Sequence, residues 1–310
     1  MGKRPPYSDI ESGAYRKCPP PPPPPPPPST ERYRSWLVPL IFAVNITMFV
    51  YTMYVNDCPA KTGPDRCLFY DYLGRYSFQP LTENPVLGPS ITTLHNLGAL
   101  DPIAIVNEGE TWRFFSCVWL HAGVAHLFAN MTSLLFIGIR LEEEFGFLRI
   151  GALYLISGFG GSLMSSLNTK PNISVGASGA LLGLLGCMLS ELLINWTIYV
   201  NKCAAISSLL LIIALNLALG LVPRVDNSAH MGGFFSGFLL GFILLMRPQY
   251  GYVSRNKVPA GYYVKRKPKH KCYQYILFIA ALIVLITWYI WGLITLFSGH
   301  RFPNPTGRTS

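Results

Sequence analysis

The chain has 310 residues, 50% hydrophobic and only 13% charged, with a mean hydropathy of +0.33. Soluble domains carry about 25% charged residues, so this composition excludes an ordinary soluble domain and points to one polytopic membrane bundle. The net charge of +10 does not indicate a nucleic-acid partner, because the basic residues flank apolar runs as cytoplasmic membrane-flanking segments do.

Residues 1–35 are polar and basic, with an unbroken proline tract from Pro19 to Pro28. They read as a cytoplasmic, disordered tail. The tract forms an extended polyproline rod that SH3- or WW-like modules could bind. The tail reads neither as a cleavable signal peptide nor as an organellar transit peptide.

Apolar stretches close to the roughly 20-residue span length fall at 36–55, 122–141, 148–167, 175–194, 203–222, 229–246 and 275–297. They predict seven transmembrane helices in an all-α fold. Residues 56–120 form a long loop between the first two. Its text "YLGRYSFQPLTENPVLGPS" mixes aromatics with Pro and Gly, as a short hairpin lying in the membrane interface would. Cys58 and Cys67 lie in this loop and predict a short disulfide if it faces an oxidising compartment. No Cys or His spacing predicts a metal site, and none predicts a cofactor.

Basic residues crowd the N-terminal tail and the 247–274 loop, which places both on the cytoplasmic side. Six spans between them satisfy that requirement. The loops after spans three and five then face outward with only Lys170 and Arg224, and the tail 298–310 also faces outward. Of four N-x-S/T sequons, at Asn45, Asn130, Asn172 and Asn195, only Asn172 falls in an outer loop.

With that topology three polar clusters converge at the outer side. Ser178 begins span four, His230 begins span six, and His121, His126 and Asn130 begin span two. A single polar residue in a span is usually helix-helix glue. Three coincident clusters point to a functional site. Gly179, Gly183 and Gly186 share a face of span four, as do His230, Gly233, Gly237 and Gly241 of span six. Packing of these two faces would bring Ser178 to His230, and a serine hydroxyl needs such a base to act as a nucleophile. His126 and Asn130 are four apart on one helix face, from which their N–H groups could stabilise an oxyanion. His121 does not share that face and reads as a loop-fixing residue.

Other protease chemistries fit less well. H-E-x-x-H does not occur, and all six aspartates lie outside the apolar runs. Asp226, just before His230, is the nearest carboxylate, so a serine–histidine dyad is favoured over a triad. A channel or transporter would rest on polar residues alone, without buried carboxylates or an evident inverted repeat.

The combination "WRFFSCVWLHAGVAHLFANM", "VGASGALLGLLG" and "AHMGGFFSGFLLG" resembles the rhomboid intramembrane serine proteases, over roughly Trp36 to Met246. The resemblance implies a rhomboid core of six helices, residues 36–246, plus a seventh helix at 275–297, as in eukaryotic secretory-pathway members. The texts "LGRYSFQPL", "ENPVLGPS" and "ELLINWTIY" look most like plant members. This implies a multi-pass protein of the secretory pathway, in the Golgi or, as second choice, the plasma membrane. By the same resemblance Ser178 is the nucleophile, His230 the base, and His126 and Asn130 oxyanion partners. Gly176, Gly179, Gly183, Gly233 and Gly237 support helix packing. Trp112, Arg113 and Glu142 are structural, and the substrates are single-span membrane proteins. One departure is Leu182, where the family often stacks an aromatic ring on the base. Inactive members usually lose the serine or histidine, or carry a proline beside the serine. Here Ala177 precedes Ser178 and His230 is kept, so an active protease is expected, with a client-binding pseudoprotease as the alternative.

Overall fold

The computed structural model describes residues 32–168, 173–196, 199, 201–219, 226–249 and 269–298. The proline tract, Cys18, Lys170, Asn172, Arg224, most of the 247–274 loop and the tail from 299 lie outside the described residues.

Among the described residues, seven long helices follow the seven apolar stretches. They are α1 (Leu37–Asn56), α2 (Val124–Ser133, continuing through a π-helical turn at Leu134–Gly138 into Ile139–Phe145), α3 (Phe147–Ser166), α4 (Ser178–Ile194), α5 (Lys202–Leu219), α6 (Asn227–Leu244) and α7 (Cys272–Phe297). Among the described residues, four helical runs are long and apolar enough to cross a bilayer by length and composition: Leu37–Thr62, Val124–Phe145, Phe147–Ser166 and Cys272–Phe297. Ser178–Ile194 and Lys202–Asn216 are shorter apolar helices. The architecture is a polytopic all-α bundle.

α4 is its axis. Every residue from Gly179 to Cys187 is buried, and so, against the expectation of spans without buried carboxylates, is Glu191 near the end of the helix, which accepts from Asn195 Nδ2 at 3.0 Å. Lipid supplies no hydrophobic force between helices, so close contact of small residues must hold them together. α4 and α6 meet along their glycines: a methyl on Gly233 would stand 3.0 Å from the Gly179 Cα, and one on Gly237 would overlap the Gly183 carbonyl oxygen. α3 closes the trio through Gly158, Gly160 and Gly161, which face Ala180, Ser236 and Ala229. This glycine run of α3 escapes the two-helix reading of the sequence, although "GFGGS" at 158–162 carries the same signal.

α7 lies outside the core. Its inward side is narrow, and Ile276, Ile279, Ile283, Ile290 and Ile294 are exposed on the other. It docks through Trp288 against Phe235, with ring centroids 5.3 Å apart, and through Tyr289, whose hydroxyl donates to the Ile156 carbonyl at 3.0 Å. Its first turn is tied to the far ends of α4 and α6. Tyr273 Oη and Gln274 Nε2 donate to the Ile194 carbonyl at 2.8 and 3.2 Å, and Gln274 Nε2 also donates to the Arg247 carbonyl at 3.0 Å.

Between α1 and α2 the chain is mostly short helical turns. The expected hairpin is confined to a narrower piece, Leu68–Phe78, closed by one antiparallel bridge and exposing Phe69, Tyr70, Tyr72 and Tyr76. The rest of the loop packs on the bundle through hydrogen bonds instead. Cys58 and Cys67 are disulfide-bonded, with Cα atoms 6.1 Å apart. Arg113, almost fully buried, donates to the carbonyls of His95 (2.7 Å) and Ala99 (2.9 Å) and pairs with Glu110. Trp112 covers the left-handed Gly98, where a methyl would meet its ring. Glu142 holds the start of α1. Its carboxylate accepts from the N–H groups of Trp36 (3.0 Å), Leu37 (2.8 Å) and Val38 (2.8 Å) and from the Ser35 hydroxyl (2.7 Å). α1 has no side-chain cap of its own. Glu142, 104 to 107 residues away in sequence, satisfies the amides that every helix start leaves open.

Candidate active site

α4 begins at Ser178, three residues later than the apolar stretch suggests. The delay has a local cause. Ser174 pairs with Leu100 in an antiparallel bridge, with N–H···O distances of 2.9 and 3.1 Å, and the Gly176 N–H donates to the Cys117 carbonyl at 2.9 Å. Gly176 itself has φ +126°, a conformation that favours glycine. The loop therefore delivers Ser178 at a helix N-terminus, where backbone N–H groups are unpaired and the dipole favours negative charge.

Gly176 is also the point of closest approach to α2. A methyl there would lie 2.6 Å from His126 Cε1, 2.8 Å from Nε2 and 3.5 Å from Asn130 Nδ2. His126 and Asn130 thus project from one face of α2 onto the backbone two residues before Ser178. Asn130 is buried and its Nδ2 has no hydrogen-bond partner among the described residues.

On the other flank, a methyl on Gly179 would meet the Ala229 carbonyl at 3.2 Å, and the next residue in α6 is His230. His230 is buried, and its Nδ1 makes no hydrogen bond among the described residues. Ser178 is half-buried. No hydrogen bond joins its hydroxyl to His230 among the described residues, and such contacts commonly tighten only when substrate binds. The backbone brings together Ser178, His230, His126 and Asn130, with Gly176, Gly179, Gly183, Gly233 and Gly237 as the points of contact.

Asp226 is otherwise engaged. Its carboxylate caps α6 by accepting from the Ala229 N–H at 3.0 Å and takes the Ser165 hydroxyl of α3. Its value to the site is to fix the first turn of α6, one residue short of His230.

His121 is fully buried, and among the described residues neither ring nitrogen makes a hydrogen bond of good geometry. Its ring packs edge-on against His126, centroids 5.3 Å apart. The contact wedges His121 against the first turn of α2, at His126. Leu182 stands where the family often carries an aromatic ring. It packs in a cluster with Leu185, Leu192, Leu209 and Ile213, toward α5, with Phe234 of α6 at the margin. Among the described residues no group of three or more His, Cys, Asp or Glu could hold a metal ion.

The chain is similar to known proteins. Residues 108–247 match the model of the Rhomboid domain. The chain is 58% identical over 308 residues to RHOMBOID-like protein 5 of Arabidopsis thaliana, covering 98% of each protein. It is 59% identical over 265 residues to RHOMBOID-like protein 1 of the same plant, covering 85% of this chain and 67% of that one. Inactive RHOMBOID-like protein 8, also from Arabidopsis thaliana, is 44% identical over 215 residues, covering 69% of this chain and 61% of the relative.

Proposed function

Because the chain belongs to the rhomboid family, we propose that it is an intramembrane serine endopeptidase that cuts single-span membrane proteins near the outer membrane border. One observation carries the reading. The residues flanking Ser178 touch the oxyanion-type side chains on one side, through Gly176, and the backbone beside His230 on the other, through Gly179.

The chemistry follows from those neighbours. His230 takes the proton of the Ser178 hydroxyl as its Oγ attacks the scissile carbonyl carbon. The oxyanion forms beside the Ser178 N–H at the start of α4 and the N–H donors of His126 and Asn130. His230 then returns the proton to the departing amide nitrogen, which breaks the C–N bond and leaves an acyl-serine. Water, deprotonated by the same imidazole, releases the acid product and regenerates Ser178. Asp226 is committed to the α6 cap and to Ser165, so among the described residues it is not hydrogen-bonded to His230 as the third member of a triad.

The plant-like loop sequences support a place in the secretory pathway, with the Golgi favoured, and the basic residues of the N-terminal tail and the 247–274 loop support a cytoplasmic N-terminus. A second reading is favoured by the relative named inactive: client binding without cleavage. A fluorophosphonate probe should label the purified protein. Ser178→Ala should abolish both labelling and cleavage of a single-span substrate. Cleavage unchanged in that variant overturns the protease reading, and client binding that survives loss of both Ser178 and His230 supports the second one.

A further inference from the structure

We infer that the segment Asn84–Gly88 is a positioning clamp for the first turn of α2, and through it for His126 and Asn130; the inference rests on the protease reading above for what the clamp achieves. α2 has no side-chain cap. Its first N–H, that of Val124, is taken by the Leu87 carbonyl at 2.9 Å. Leu87 is one of three non-glycine residues with positive φ among the described residues, at +58°. A leucine held there is strained, and such strain persists only where the surroundings impose it.

Asn84 imposes it. Its Nδ2 donates to the carbonyls of Ala122 and Pro89, each at 2.8 Å, and its Oδ1 accepts from the Val86 N–H at 3.0 Å. One carboxamide therefore holds the clamp loop and the backbone two residues before α2 at the same time. The two backbones touch: a methyl on Gly88 would overlap the Ala122 carbonyl oxygen, and one on Gly123 would stand 2.6 Å from the Val86 carbonyl carbon.

The clamp is itself anchored. The Gln79 N–H donates to the Gly88 carbonyl at 3.0 Å. Asn56, the last residue of α1, accepts through Oδ1 from the Ser90 N–H (2.9 Å) and the Thr93 hydroxyl (3.0 Å). A continuous polar path thus runs from the end of α1 to Val124, two residues before His126. Nothing in the chemistry touches Asn84, so it is a positioning residue. Its effect arises because a displacement of about 1 Å in a reacting geometry can lower a rate about 100-fold.

The test uses the full-length protein in nanodiscs with a single-span transmembrane substrate. Asn84→Ala should lower kcat about 10- to 100-fold and leave KM within about twofold. Asn84→Asp should not rescue, because it aims a carboxylate at two carbonyls. Gly88→Ala, a wedge at the same joint, should reproduce the loss if Asn84→Ala fails to fold. In a His126→Ala/Asn130→Ala background the added loss from Asn84→Ala should fall below about twofold, since both changes act through the same groups. Equal losses in the two backgrounds overturn the proposal. Hydrogen exchange supplies a readout without activity: amides of Val124–Leu127 should exchange about tenfold faster in Asn84→Ala, with α4 and α6 unchanged. Unaltered exchange there overturns the clamp even if the wild type cleaves. Faster exchange in a protein that neither labels nor cleaves keeps the clamp and refutes the protease reading alone.

Discussion

The α4–α6 seam and the loop between α1 and α2 solve the same problem in opposite ways. Both must hold polar groups in place at the Ser178 end of the bundle. The seam does so with almost no polar contact: Gly179, Gly183, Gly233 and Gly237 let two backbones touch, and rigidity comes from the absence of side chains. The loop does so with side-chain hydrogen bonds over long sequence distances, such as Asn84 to Ala122 and Arg113 to His95 and Ala99. A glycine seam has no slack, so small additions break it. A hydrogen-bonded loop fails by losing donors, one contact at a time.

That contrast sets the expected order of effects. Gly237→Val should be the most damaging, because its side chain has to enter the space of the Gly183 carbonyl and Cα. It should abolish cleavage and lower the thermal midpoint sharply; a normal rate in this variant would show that the seam is not what places His230. In the loop, Cys58→Ser with Cys67→Ser should cost roughly 2–4 kcal/mol of stability and leave α4–α6 exchange rates unchanged, measured by denaturation and hydrogen exchange. Arg113→Lys keeps the charge but loses the planar fork. It should cost about 1.5–3 kcal/mol, read in the same denaturation assay. The smallest effect belongs to Leu182→Met, which conserves volume in the cluster facing α5. It should cost less than about 1.5 kcal/mol and leave kcat unchanged; a large kcat change would return Leu182 to the neighbourhood of His230.

The two regions also differ in how much could be read in advance. The seam was visible because glycines four apart on an apolar helix share a face whatever the rest of the chain does. The convergence of Ser178, His230, His126 and Asn130 followed from the alternation of spans. Leu182 could be marked only as the place where the family often stacks an aromatic ring; that it lies in the cluster facing α5 is decided by the packing. Glu142 could be marked as important, yet nothing local to it announces that it caps a helix start more than 100 residues earlier.

By itself the sequence determined the all-α bundle, the seven apolar stretches and the glycine faces, since these depend on composition and on the 3.6-residue period. Only the tertiary structure decided what Gly176 touches, how Glu142 caps α1, how Asp226 is divided between α3 and α6, and how Asn84 and Leu87 hold the start of α2. Each of those is a pairing of groups from distant segments. A buried donor or acceptor must find a partner somewhere, but the rule carries no address, and only the packed helices supply one.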